Sequence, residues 1–268
     1  MTRQAGTSSS MQDTLSHVIY EQPLHERMRV MLRLEHLFAA VEHAREGTSP
    51  WAARMAVSHL IELADITGRS DVRLEMIKEL ERIGTNLKAL SDRPDVDSSR
   101  LSGLLGTVHD LVARLQAANG SPAQVMLASD MVANLKRRQQ IAAANCDFDQ
   151  PAFHFWLARP GEQRARDLNR WAEPFTDLRD ATRLILGLVR DACAPVQETA
   201  TSGFFQKSLD AAQPYQLVRV MLAPQQRCYP EISAGRHRFT VRFLEFSEGG
   251  GVTNSSDDVP FRLMCCTL

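Results

Sequence analysis

The sequence predicts an α+β fold, a helical bundle domain plus a discontinuous, mainly antiparallel β domain, on three observations. Between residues 23 and 195 apolar side chains recur mostly three and four positions apart, the spacing of buried helix faces. From Gly203 onward, aromatic and β-branched residues return every second position, the period of a strand with one covered face. Two short pieces that read as extended, 18–20 and 153–157, lie far upstream of that last third. The β domain is therefore expected to collect residues 16–22, 147–158 and 200–268. The helical domain takes 23–146 and 159–195.

Residues 1–15 are small and polar and read as a disordered extension. Val18, Ile19 and Tyr20 form the first extended piece, which meets Pro23. A helix follows at once, with Leu24, Met28, Met31, Leu34, Phe38 and Val41 as its buried stripe. Ser49-Pro50 opens a second helix, an N-cap residue followed by proline at the first helical position. Its apolar residues are Met55, Leu60, Ile61 and Ala64, and Gly68 ends it. A third helix starts near Ser70-Asp71 and buries Leu74, Ile77, Leu80, Ile83 and Leu87. Pro94 and Asp97 separate it from a fourth, striped by Leu101, Leu104, Leu105, Val108, Leu111, Val112 and Leu115. Ser121-Pro122 repeats the start signal for a fifth helix running to about Ala143. Two more run from Pro160 to Trp171 and from Pro174 to Ala192, where Pro195 stops them. The alternation of Phe153, Phe155 and Leu157 against His154 and Trp156 reads as a strand. Later strands are expected at 204–205, 217–222, 239–246 and 261–264, with Gly249-Gly250-Gly251 marking a loop before the last.

Composition narrows the function. A 268-residue chain with 44% hydrophobic and 24% charged residues has the makeup of a globular protein with a sizeable core. Its formal net charge of −1 gives no global cationic field, so an acidic partner must be met by a local cluster and nucleic acid is not expected. The N-terminus carries no signal-peptide pattern, and the longest apolar run, near 184–189, falls far short of the roughly 20 residues that span a bilayer. A cytoplasmic protein without a membrane partner is expected. Its five cysteines, Cys146, Cys193, Cys228, Cys265 and Cys266, lack C-x-x-C spacing and read as reduced thiols rather than metal ligands. No nucleophile elbow, phosphate loop, zinc-protease signature or dinucleotide fingerprint is present, so neither catalysis nor a cofactor is expected.

What remains is local positive charge. Arg29 and Arg33 stand four apart at the polar edge of the first helix and stack on one face. Glu26 is in range of Arg29. Arg238 and Arg242 stand four apart on a strand whose other face carries Phe239, Val241 and Phe243, about 13 Å apart at about 3.3 Å per residue. Four guanidiniums converging on one cleft would suit a visiting acidic ligand, since arginine matches carboxylate geometry with two parallel donors. Lys136, Arg137 and Arg138 close the fifth helix, where cations complement the helix dipole. Lys136 and Arg138 extend the candidate site, and His154 is its histidine.

The order of several blocks resembles the cell division protein ZapD family, which binds FtsZ in bacteria. They are Glu21-Gln22-Pro23-Leu24 followed by Met28-Arg29 and Leu32-Arg33-Leu34-Glu35, then the run from Cys146 to Leu157. Next come Gly203-Phe204-Phe205-Gln206, then Tyr229-Pro230-Glu231-Ile232-Ser233 with Arg238 to Phe243, and a closing Cys265-Cys266. The resemblance covers about residues 16–266. It implies a homodimer that binds the acidic C-terminal tail of FtsZ, cross-links and bundles its filaments, and is recruited to midcell to promote Z-ring assembly. The expected tail-binding set takes Arg29, Arg33, His154, Arg238 and Arg242 from blocks that carry the resemblance, and adds Lys136 and Arg138 from the residue pattern alone. Gln22 departs from the family's usual histidine, and Asp130 stands where some relatives carry a basic residue. The Arg29/Arg33 side is the expected centre of the site. The alternatives are a nucleic-acid-associated protein and a helical scaffold with no peptide site.

Overall fold

A computed structural model describes residues 17–69, 71–91, 93–94, 96–138, 146–235, 237–247 and 249–268. The extension expected over 1–15 and the end of the fifth helix near Ala143 lie outside the described residues. The chain divides into two compact units, one formed by Met1–Arg29 with Gly187–Leu268 and the other by Val30–Leu186.

The first unit is a β sandwich. Strand β1 (Val18–Pro23) leads into helix α1 (Glu26–Glu46). The long helical interlude comprises α2 (Pro50–Arg69), α3 (Val72–Lys88), α4 (Ser98–Ala117), α5 (Gln124–Leu127), α6 (Asp130–Arg138), α7 (Pro151–Leu157), α8 (Gly161–Ala172), a 3-10 turn (Glu173–Phe175) and α9 (Thr176–Asp191). Then come β2 (Val196–Ala200), β3 (Phe204–Ser208), β4 (Tyr215–Leu222), β5 (Cys228–Ala234), β6 (Arg238–Phe246), β7 (Val252–Asn254) and β8 (Val259–Thr267). One antiparallel sheet has the order β1-β4-β8-β2, and the other β3-β6-β5 with β7 on β6. Strand alternation sends Val218, Val220, Leu222, Val259, Phe261 and Leu263 of the first sheet, and Phe239, Val241 and Phe243 of the second, into one core. Phe261 anchors it, with ring centroids 5.1 Å from Phe205 and 5.2 Å from Phe243. Burial of such rings is the main favourable term for a sandwich of this size.

Strand β1 is held by charge as well as by its ladder. The Glu21 carboxylate accepts hydrogen bonds from Arg190 Nε at 2.8 Å and Nη2 at 2.7 Å. Arg219 on β4, the residue paired with Glu21 in the ladder, brings its Nε to 2.8 Å, close but not aligned for a hydrogen bond. All three side chains are mostly withdrawn from water.

The second unit is helical. On α1 the stripe of Met28, Met31, Leu34, Phe38 and Val41 is buried as its spacing requires. Ser49 caps α2 through Ala52 N–H at 3.1 Å, and Asp97 caps α4 through the N–H groups of Ser99 and Arg100. Other expectations need correction. Met55 and Leu74 are 53% and 42% exposed; the buried faces there use Ala53, Ala56 and Val57 on α2, and Val72 and Met76 on α3. The fifth helix is broken into α5 and α6 around Ala128 and Ser129.

The main correction concerns 147–158, expected in the β domain. Residues Pro151–Leu157 form helix α7 and belong to the helical unit. Pro151 takes the first helical position, and Phe153, Trp156 and Leu157 sit at i, i+3 and i+4 on one buried face. Phe153 stacks on Trp156 at 5.7 Å, Trp156 meets Trp171 at 5.6 Å, and Trp156 Nε1–H donates to Asp167 at 3.0 Å. Aromatic content favoured a strand reading, but the packing is helical.

Candidate functional site

Strand β6 presents two chemistries. Phe239, Val241 and Phe243 are fully buried, which turns Arg238, Thr240, Arg242, Leu244 and Phe246 outward. In register beside Arg242 lie Phe204 on β3 and Glu231 on β5, and beside Thr240 lie Gln206 and Ser233. Phe204 is 47% and Phe246 72% exposed, and the Phe246 ring lies 5.3 Å from that of Tyr229. Arg238 and Arg242 are both exposed, and among the described residues neither guanidinium has a hydrogen-bond or ion-pair partner. This face is a basic strip edged by aromatic rings.

Gly203 sets the strip's edge. Its φ of +69° favours glycine, and a Cβ there would meet Ser255 O at 2.4 Å. From this turn Gly203 O accepts Phe243 N–H at 2.8 Å, which seats β3 beside β6.

The helix arginines stand differently. Arg29 and Arg33 share one face of α1, as their spacing requires. Arg29 is half-exposed and donates from Nε to Glu26 at 3.1 Å, so an acidic ligand must compete with that carboxylate. Arg33 is exposed. Lys136 lies 2.9 Å from Asp65, and Arg137 donates to Asn134. Arg138 is exposed with no partner among the described residues. His154 does not share a face with Trp156, as a strand would require. On α7 it is exposed and pairs with Asp147 at 3.0 Å while Trp156 is buried. Asp147 also receives Arg54 at 2.9 Å, and the Arg54 guanidinium lies over Phe153 at 4.9 Å.

The β unit thus holds Arg29, Arg238 and Arg242, and the helical unit Arg33, Lys136, Arg138 and His154. The structure brings Arg238 and Arg242 onto one strand face and Arg29 and Arg33 onto one helix face. Sequence reasoning missed Phe204 and Phe246 as neighbours of the strand pair. Phe246 shares the parity of Arg238 and Arg242 on one strand and was readable from alternation, whereas Phe204 becomes a neighbour only once the register of β3 against β6 is known.

This architecture falls in the class of cell division proteins: the family model described as "ZapD: Cell division protein" matches residues 32–242, a span that includes Arg33, His154, Arg238 and Arg242. The chain is 37% identical over 253 residues to "Cell division protein ZapD" of Methylococcus capsulatus, covering 94% of this chain and 99% of the relative. It is 33% identical over 254 residues to the protein of the same name from Coxiella burnetii, covering 94% and 98%. The chain belongs to the ZapD family, and its role is in cell division. Among the described residues no helix is long and apolar enough to cross a membrane.

Proposed function

We propose that this chain binds the acidic C-terminal tail of FtsZ and, as a homodimer, cross-links and bundles FtsZ filaments to promote Z-ring assembly at midcell. The observation that carries the reading is the exposed pair Arg238 and Arg242, without partners among the described residues, on one strand face beside Phe204 and Phe246. Guanidiniums in that setting recognise carboxylates by paired hydrogen bonds, and the flanking rings offer apolar contact to the same peptide. Two weak sites on one dimer gain strength when the tails are displayed densely along a filament, because the second binding event is intramolecular. The near-neutral net charge of −1 disfavours nucleic acid as the partner.

Pelleting polymerised FtsZ with the purified chain tests this. The chain sediments with full-length filaments and stays in solution with filaments lacking the tail; equal pelleting with both would overturn the reading. Pelleting also weakens steeply with salt, since charges at an exposed face are screened beyond about 8 Å at physiological ionic strength. Binding unaffected by salt would mean an apolar contact. Light scattering at micromolar concentration gives the mass of a dimer, and a monomer mass across that range removes the bundling mechanism.

A further inference from the structure

Cys193 lies in the bend between α9 and β2, half-buried, and Cys266 lies fully buried on β8. Their sulfurs are 3.4 Å apart in a hydrogen bond. Strand alternation turns the neighbouring Cys265 side chain to the opposite face, against the sandwich core, so Cys193 meets the sulfur of Cys266 and only the backbone of Cys265. A disulfide of about 2.05 Å needs the pair to close by roughly 1.4 Å.

From this geometry we propose that Cys193 and Cys266 form a reversible redox pair, a modification site in which Cys193 is oxidised and Cys266 resolves it to a disulfide. Peroxide is the oxidant class. The Cys193 thiolate attacks one peroxide oxygen, the O–O bond breaks, and the departing hydroxide takes a proton to become water. Cys193 is left as a sulfenic acid. The Cys266 sulfur then attacks Cys193 Sγ, the S–O bond breaks, and hydroxide leaves with the Cys266 proton as a second water. Two thiols are oxidised and one peroxide is reduced to two waters.

The electrostatics suit these roles. The hydrogen bond with Cys266 holds Cys193 down from its ordinary 9.0 to about 7, against burial, which raises it, and with help from the Arg219 guanidinium. The same hydrogen bond, then burial, raises Cys266. Cys193 is therefore the sulfur of the pair that more readily becomes thiolate, the form that reacts. Cys228 and Cys265 are both raised by burial and are poorer nucleophiles.

The full chain treated with hydrogen peroxide provides the test. The expected result is loss of two thiols and two hydrogens per chain, a non-reducing peptide map joining the Cys193 and Cys266 peptides, and full reversal by dithiothreitol. Cys193→Ser, at a half-exposed position, abolishes the link and leaves Cys266 unmodified. In untreated protein, alkylation of Cys193 by iodoacetamide rises through a midpoint near pH 7. Oxidation that accumulates first at the exposed Cys146, a Cys193 sulfenic acid that never links to Cys266, or an alkylation midpoint near 9 would each overturn the proposal.

Discussion

Arg238→Gln combined with Arg242→Gln abolishes pelleting with FtsZ filaments and leaves the unfolding midpoint nearly unchanged. A charge-assisted hydrogen bond to a carboxylate is worth about 1.5–3 kcal/mol, so losing two removes about 3–6 kcal/mol, or at least about 100-fold in affinity at 1.4 kcal/mol per decade. Neither side chain is buried and neither has a partner among the described residues, so the fold loses under about 0.5 kcal/mol. Glutamine is preferred to glutamate because Glu231 stands directly across from Arg242. A second carboxylate there would add cross-strand repulsion and confuse binding with stability. Isothermal titration with the isolated tail peptide, beside a urea unfolding curve, separates the two quantities. Wild-type affinity in the double variant would move the site to Arg29 and Arg33, where Arg33→Glu is the corresponding change.

The largest stability effect is expected from Glu21→Ala. Its carboxylate faces both Arg190 and Arg219, and its side chain is only 17% exposed. Removing it takes the shared carboxylate away from two partly buried guanidiniums. Breaking a buried pair in this way costs about 3–5 kcal/mol. Glu26→Ala removes a carboxylate 3.1 Å from Arg29, but Glu26 is 72% exposed and the pair is worth about 0–1 kcal/mol. The aromatic residues allow the loss to be located. Tyr20, Tyr215 and Tyr229 all lie in the β unit, and Trp51, Trp156 and Trp171 all lie in the helical unit. In Glu21→Ala the tyrosine signals in the near ultraviolet melt at lower urea than in the wild type. A tyrosine transition unmoved by Glu21→Ala would mean that the triad contributes no net stability.

Most of this architecture was legible where a period ran long enough to be unambiguous. The α1 stripe and the buried aromatics of β6 lie where their spacing puts them, because one register satisfies each. The reading failed on α7, where seven residues rich in aromatics fit a strand by alternation and a helix by i, i+3 and i+4. Pro151 at the first helical position was the deciding signal. Short strands such as β2 and β5 escaped because Val196–Ala200 is mostly polar and Cys228–Ala234 is interrupted by Pro230, Glu231 and Ser233, and their partners β8 and β6 define them more than their own sequence does. For the candidate site, arginine spacing identified the residues. Which of them are paired depends on acids elsewhere in the chain, such as Asp65 for Lys136 and Asp147 for His154.

The pairing of β1 with β4 has a consequence for how the protein is made. Val18 lies opposite Leu222, about 200 residues later in the chain. On a ribosome working at about 5–20 residues per second, β1 emerges roughly 10–40 s before its ladder partner exists. During that interval the helices can assemble from neighbouring segments, whose contacts close short loops. The nascent strand must wait as an open edge, with unmatched backbone groups and the Glu21 carboxylate still hydrated. The sandwich is therefore the last part of the molecule to form, and its completion coincides with the delivery of β8, the strand that joins β4 to β2.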